Sequence, residues 1–288
     1  MTSKLAHQIA RRLGELEGVT AVALGGSWAR GDARPDSDVD LGIYYYPEHR
    51  PQIEALRRLA TELDDRHPTN AVTGFGEWGP WINGGGWLEI EGRRVDWLYR
   101  DLDLVLRTIE ECRAGSPTLH HQPGHPHGFH THIYLGEIHY CRPLHDGRGV
   151  LRNLKALAEH YPPRLKHTLV RDHLWKAGFA LDTAAKPAGR GDVFYVTGSL
   201  FQCVASLVQV LHAANERYLI NEKGSLSPVE TLTVRPKRFV ETASAVLSSP
   251  GESPDQLRDS LRSLEGLIED VRNLCASPPE DSGFPRNG

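Results

Sequence analysis

Between residues 19 and 41 the chain runs from an apolar stretch, Val19 to Leu24, through the turn Gly25-Gly26-Ser27 and a polar spacer to Asp38-Val39-Asp40-Leu41. No other stretch restricts so sharply what the chain can fold into. Side chains alternate along a strand, so Asp38 and Asp40 project from one face while Val39 and Leu41 pack behind them. Two carboxylates held side by side repel, and each raises the other's pKa unless a cation lies between them. A hard divalent ion with oxygen ligands is the natural occupant, and Mg²⁺ typically joins one or two carboxylates to substrate phosphates. The Gly-Ser turn offers backbone N–H groups and a hydroxyl to such phosphates. A lone Asp-x-Asp is most often a solvated turn or strand edge. The Gly-Ser at this spacing, and a further acid in the apolar run Arg94-Val95-Asp96-Trp97-Leu98-Tyr99, turn the reading toward a site for a metal-bound nucleoside triphosphate.

This pattern resembles the nucleotidyltransferase superfamily that includes DNA polymerase beta. Gly26-Ser27 fills its first element, Asp38-Val39-Asp40 the second, and Asp96 the third acid on a later strand. Within that superfamily the chain is most similar to the bacterial enzymes that modify aminoglycosides and lincosamides. The motif match spans roughly residues 19 to 100; the remainder is similar only in layout, a helical domain after the transferase domain. The resemblance implies Mg²⁺, as one or two ions, and ATP as nucleotide donor. It also implies a small-molecule hydroxyl as acceptor and pyrophosphate as leaving group. Asp38 and Asp40 would hold metal, and Asp96 would either share it or take the proton from the attacking hydroxyl. Ser27 and Gly26 match the phosphate-contacting turn, and Arg30 stands in the spacer where relatives carry a basic residue. A lysine from the helical domain often reaches the triphosphate in such enzymes; Lys223, in Asn221-Glu222-Lys223-Gly224, is the candidate, with Lys176 competing. Both also fit ordinary surface lysines.

Composition sets limits. The 288 residues suffice for one large or two medium domains, with 39% hydrophobic and 24% charged residues. No apolar run suggests a membrane span, and the segment Met1 to Leu16 is amphipathic and mixed in charge, unlike a secretory signal. Cys112, Cys141, Cys203 and Cys275 lack disulfide or metal spacing, so a reducing cytoplasm is the expected setting. A net charge of −4 argues against a nucleic-acid groove and suits a cationic small substrate.

Periodicity predicts an α+β chain. The expected order is a helix through Leu5, Ile9, Leu13 and Leu16, strands at 19–24 and 39–46, and a helix over 51–64. A Gly- and Trp-rich loop follows from Gly74 to Gly86. A hairpin of 88–91 and 94–99 turns at Gly92-Arg93, and a helix from Asp101 stops before Gly115. Residues 134–141 read as a strand, and 148–160, 164–186, 192–221, 236–248 and 255–275 as helices. The expected architecture is a nucleotidyltransferase domain, 1–145, with a mixed sheet flanked by helices. A helical bundle, 146–276, and a disordered tail, 277–288, complete it.

Two segments stay open. Residues 116–132 hold six histidines without cysteine partners at ligand spacing, favouring a substrate- or nucleotide-facing loop over a zinc site. Trp78, Trp81 and Trp87 suit either loop packing or stacking on a base or sugar ring. The leading functional reading is AMP transfer to a small molecule. Nucleotidylation of a protein or RNA, as in toxin–antitoxin relatives of this fold, and a non-catalytic nucleotide-binding module are the alternatives.

Overall fold

The computed structural model describes Thr2–Ala276, which divide between two compact units, Met1–Pro162 and Pro163–Gly288. The expected tail, 277–288, lies outside the described residues.

The first unit is a five-stranded mixed sheet in the order β3-β4-β2-β1-β7, formed by β1 (Ala21–Leu24), β2 (Val39–Tyr45), β3 (Gly85–Ile90), β4 (Arg93–Asp101) and β7 (Arg142–His145). β2 and β4 are parallel and the other pairs antiparallel. Alternation along the strands sorts their residues onto two faces. Val22, Leu24, Val39, Leu41, Ile43, Leu88, Ile90, Val95, Trp97 and Tyr99 point to one face. There they form a core with Leu5, Ile9 and Leu13 of α1 (Thr2–Gly14) and Leu56, Leu59 and Ala60 of α3 (Ile53–Leu63). The acids lie on the other face, beside α2 (Gly26–Arg30) and α5 (Ile133–Tyr140).

α5 corrects the strand expected at 134–141. Its residues Ile133, Tyr134, Leu135, Gly136 and Ile138 are all buried, and a short segment buried all round carries no period that separates helix from strand. Lys155, on α6 (Val150–Leu157), ends α5 by donating from Nζ to the carbonyls of Ile138 at 3.1 Å, His139 at 2.5 Å and Cys141 at 2.8 Å. These are carbonyls that a helix end leaves without intrahelical partners. This tie places α6 in the first unit and moves the division from the expected 145 to Pro162. Lys155→Met should therefore lower stability by about 2–3 kcal/mol, the range for losing charged hydrogen bonds to half-buried carbonyls. Chemical denaturation checks it, with Lys155→Arg retaining most of the stability.

The hairpin also differs by one residue. Its turn is Glu91-Gly92, with φ of 53° and 68°, the left-handed pair of a two-residue primed turn. β3 begins at Gly85, inside the segment expected as loop. The histidine segment is a small hairpin of β5 (Leu119–His120) and β6 (Phe129–His130), preceded by α4 (Leu102–Arg113). His127, His130 and His132 are buried rather than turned outward, and His120 stacks on Trp81 at 4.2 Å.

The second unit is helical: α7 (Pro163–Gly189), α8 (Val193–Ala214), α9 (Phe239–Ser248) and α10 (Pro254–Ala276). Asp192 caps α8 by accepting from the Tyr195 N–H at 3.1 Å. α8 stops at Ala214, short of the expected 221. There the Asn215 side chain takes over the backbone, donating to Leu211 and Val234 carbonyls and accepting from the Val234 N–H. By length and composition α8 is apolar enough to cross a membrane, contrary to the sequence expectation. Its Val196, Leu200, Cys203, Val204, Leu207 and Leu211 are buried against α7, α9 and α10.

Candidate functional site

The site is built where β1 ends and β2 begins. Leu24 of β1 pairs with Leu41 of β2, and the next residue, Gly25, donates its N–H to the Asp40 carbonyl at 2.8 Å. α2 starts at once, so the turn read from Gly26-Ser27 is the first turn of a short helix capped by Gly25. Gly26 lies against the Asp40 carboxylate. A Cβ there would stand 1.8 Å from Asp40 Oδ2, and its φ of +56° is one that residues with side chains rarely adopt. The spacer is pinned back on itself: Trp28 donates its indole N–H to the Ser37 carbonyl at 3.2 Å, and the Arg34 N–H bonds Ser37 Oγ at 2.8 Å.

Parallel pairing of β2 and β4 sets Asp40 directly beside Asp96. Neighbours in register share a face, so the two carboxyls stand on adjacent strands and point the same way. Asp38, half-buried just ahead of β2, precedes them in the same alternation. Burial, and then the charges of Asp96, Asp38 and Glu137, push the Asp40 carboxyl up from 3.8 to about 7, while the Arg30 guanidinium pulls the other way. Arg30 also holds Asp32 at 3.1 Å.

Glu137 and Arg142 were not singled out from the sequence. Glu137 comes from α5 and takes a bidentate ion pair from the buried Arg100 of β4, Nε to Oε2 at 2.8 Å and Nη2 to Oε1 at 2.7 Å. Burial alone would lower the Arg100 pKa; Glu137 more than reverses this. Neither residue lies in a motif, and the pairing needs α5 folded over the sheet. Arg142 of β7 donates from Nε to the Ala29 carbonyl at 3.1 Å, in the last turn of α2. Arg100→Met should cost about 3–4 kcal/mol, because it strands the Glu137 carboxylate among other acids. Chemical denaturation of the variant and the wild type side by side tests this.

Among the described residues, no three His, Cys, Asp or Glu side chains form a ready metal-holding group. The three acids are therefore not a closed cage. A Mg²⁺ site needs none, because the ion takes one or two carboxylates and fills its shell with water and substrate phosphates. The donor set fits: Asp38 and Asp40 are hard oxygen ligands, and the repulsion expressed in Asp40 is what a cation relieves. Lys223 lies in the second unit, in the turn after α8, where its N–H bonds Asn221 Oδ1 at 2.9 Å.

The family model described as "Nucleotidyltransferase domain" matches residues 6–73. The first unit is thus similar, over its N-terminal part, to a nucleotidyltransferase domain. The match runs from within α1 to beyond α3, and includes Gly26, Ser27, Asp38 and Asp40; Asp96 lies outside it and stands beside Asp40 through strand pairing. Among solved structures, a nucleotidyltransferase-like protein from Exiguobacterium sibiricum 255-15 is similar at 10% identity. That similarity covers 93% of this chain and 77% of that one, with a TM-score of 0.44. No curated protein matches.

Proposed function

We propose that the chain is a Mg²⁺-dependent nucleotidyltransferase that moves AMP from ATP to a hydroxyl of a small cationic molecule of the aminoglycoside or lincosamide type. The observation that carries this reading is the pair Asp40 and Asp96 on adjacent strands, with the Gly26-Ser27 turn packed against Asp40. Nucleotidyl transfer asks mainly for positioning and charge neutralisation, and this arrangement supplies both. Asp38 and Asp40 would hold Mg²⁺, which when bound would offset the negative charge of the triphosphate. Ser27 and the backbone N–H groups of the turn orient the phosphates, and Arg30 adds positive charge beside them. Asp96 takes the proton of the acceptor hydroxyl as its oxygen bonds the α-phosphorus. The bond from that phosphorus to the bridging oxygen breaks, and pyrophosphate leaves with both electrons. The overall charge of −4 suits a cationic acceptor over a nucleic acid.

The test is pyrophosphate release from MgATP against a panel of aminoglycosides and lincosamides, with Asp40→Asn alongside. Release by the wild type alone, with one acceptor class, establishes the reading. Tight Mg-nucleotide binding without release for any member redirects it to a protein or RNA acceptor. No nucleotide binding overturns it.

A further inference from the structure

Trp87 stands in the same row as the acids. Antiparallel pairing of β3 with β4 sets Trp87 opposite Asp96, and Asp96 is in turn beside Asp40, so three adjacent strands present Trp87, Asp96 and Asp40 on one face. The indole is 66% exposed, whereas Leu88, which points to the other face, is buried. It is nevertheless held in place. Trp78 stacks on it with ring centres 4.4 Å apart and planes at 25°. Trp78 is itself tied down by the buried Gln122, whose side-chain amide donates to the Trp78 carbonyl. A large aromatic ring supported on one side and open to solvent is a stacking platform.

Sheet order decides which ligand it faces. The strands run β3-β4-β2-β1, and the Gly26-Ser27 turn follows β1. The turn that would cradle phosphates and the Trp87 ring therefore flank the acids from opposite sides. A molecule seated on Trp87 reaches Asp96 from the side away from the triphosphate. We propose that Trp87 is the positioning residue for the acceptor, stacking one ring of it beside Asp96. The class of acceptor follows from the surroundings. The face of an indole attracts cations and C–H groups, and the neighbouring carboxylates favour positive charge. An amino-sugar or aminocyclitol ring offers a C–H face with ammonium groups at its rim; a phosphorylated or acidic ring would be repelled. This deepens the nucleotidyltransferase reading, on which the word acceptor rests.

The experiment compares wild type, Trp87→Ala and Trp87→Phe as full chains by calorimetric titration. One titrant is kanamycin, as the amino-sugar probe, and the other is Mg²⁺ with α,β-methylene-ATP. Thermal melts confirm that the variants fold, as expected for a residue so exposed. Trp87→Ala should weaken kanamycin at least tenfold and Trp87→Phe no more than threefold. The nucleotide affinity should stay within twofold throughout. Unchanged kanamycin binding in Trp87→Ala overturns the proposal. So does a parallel loss of nucleotide affinity, which would assign the ring to the donor base, and so does failure of kanamycin to bind the wild type. Failure of the transferase reading itself shows differently, as no binding of the Mg-nucleotide to any of the three proteins.

Discussion

Asp40→Asn is expected to abolish transfer while making the metal-free protein more stable above pH 7. Burial and the neighbouring acids push the Asp40 carboxyl from its ordinary 3.8 up to about 7 in the folded protein. Between those values the folded state binds more protons than the unfolded one, so stability falls as pH rises through this window and the full penalty stands above it. At about 1.4 kcal/mol per pKa unit, discounted because Asp40 keeps some solvent contact, the penalty is about 2 kcal/mol. Asparagine keeps the shape and removes the charge, so the variant should melt about 4–8 °C higher than wild type at pH 8. The two should nearly coincide at pH 4, where the wild-type carboxyl is protonated in the folded state. Mg²⁺ should stabilise the wild type at pH 8 and leave the variant unmoved. A thermal-melt grid over pH and Mg²⁺ measures all of this. Equal melting at pH 8 would mean that Asp40 is not the strained acid. Transfer should fall by about a thousandfold or more, since a ligand of the transition-state charge is lost.

Gly26→Ala should also damage activity, though less severely, and, unlike the first, should cost stability. The new methyl would stand 1.8 Å from Asp40 Oδ2, closer than any real contact, on a backbone with φ of +56°. Either α2 lifts or the carboxylate turns away, and in both cases the groups proposed to hold Mg²⁺ and phosphate move apart. The strain and displacement together should cost about 2–3 kcal/mol. A misplacement of about 1 Å in a catalytic group reduces turnover by about a hundredfold. Gly25→Ala is the control: its Cβ would meet Asp40 Cβ at an ordinary 3.7 Å, at a negative φ of −114°. Mg²⁺ affinity by calorimetry should fall in Gly26→Ala and hold in Gly25→Ala. Equal behaviour of the two would refute the close approach as the reason for glycine.

Much of this was legible before folding. The alternation around Asp38-Val39-Asp40-Leu41 assigned the acids to one face, and the structure buries Val39 and Leu41 completely behind them. The long helices of the second unit followed from their apolar stripes. α5 was not legible, because a segment buried on every side has no amphipathic period to read. Trp87 was named from the sequence for loop packing or ring stacking, but its place opposite Asp96 was not legible, for a narrower reason. A hairpin turn at Gly92-Arg93 would pair Trp87 with Leu98, whereas the turn at Glu91-Gly92 pairs it with Asp96. Glutamate in a left-handed conformation is an uncommon choice, and the sequence offered Gly92 alone as a signal.

By itself, then, the sequence determined which acids share a face, where the chain must turn tightly, and which residues make the core. All three follow from local rules: strand alternation, glycine's backbone freedom and apolar spacing. Only the tertiary structure decided that Asp96 stands beside Asp40, that Arg100 and Glu137 pair on the same face of the sheet, and that Trp87 extends the row. Those juxtapositions depend on strand order, register and a helix laid across the sheet. They are set by burial summed over the whole first unit, which no short stretch of residues encodes.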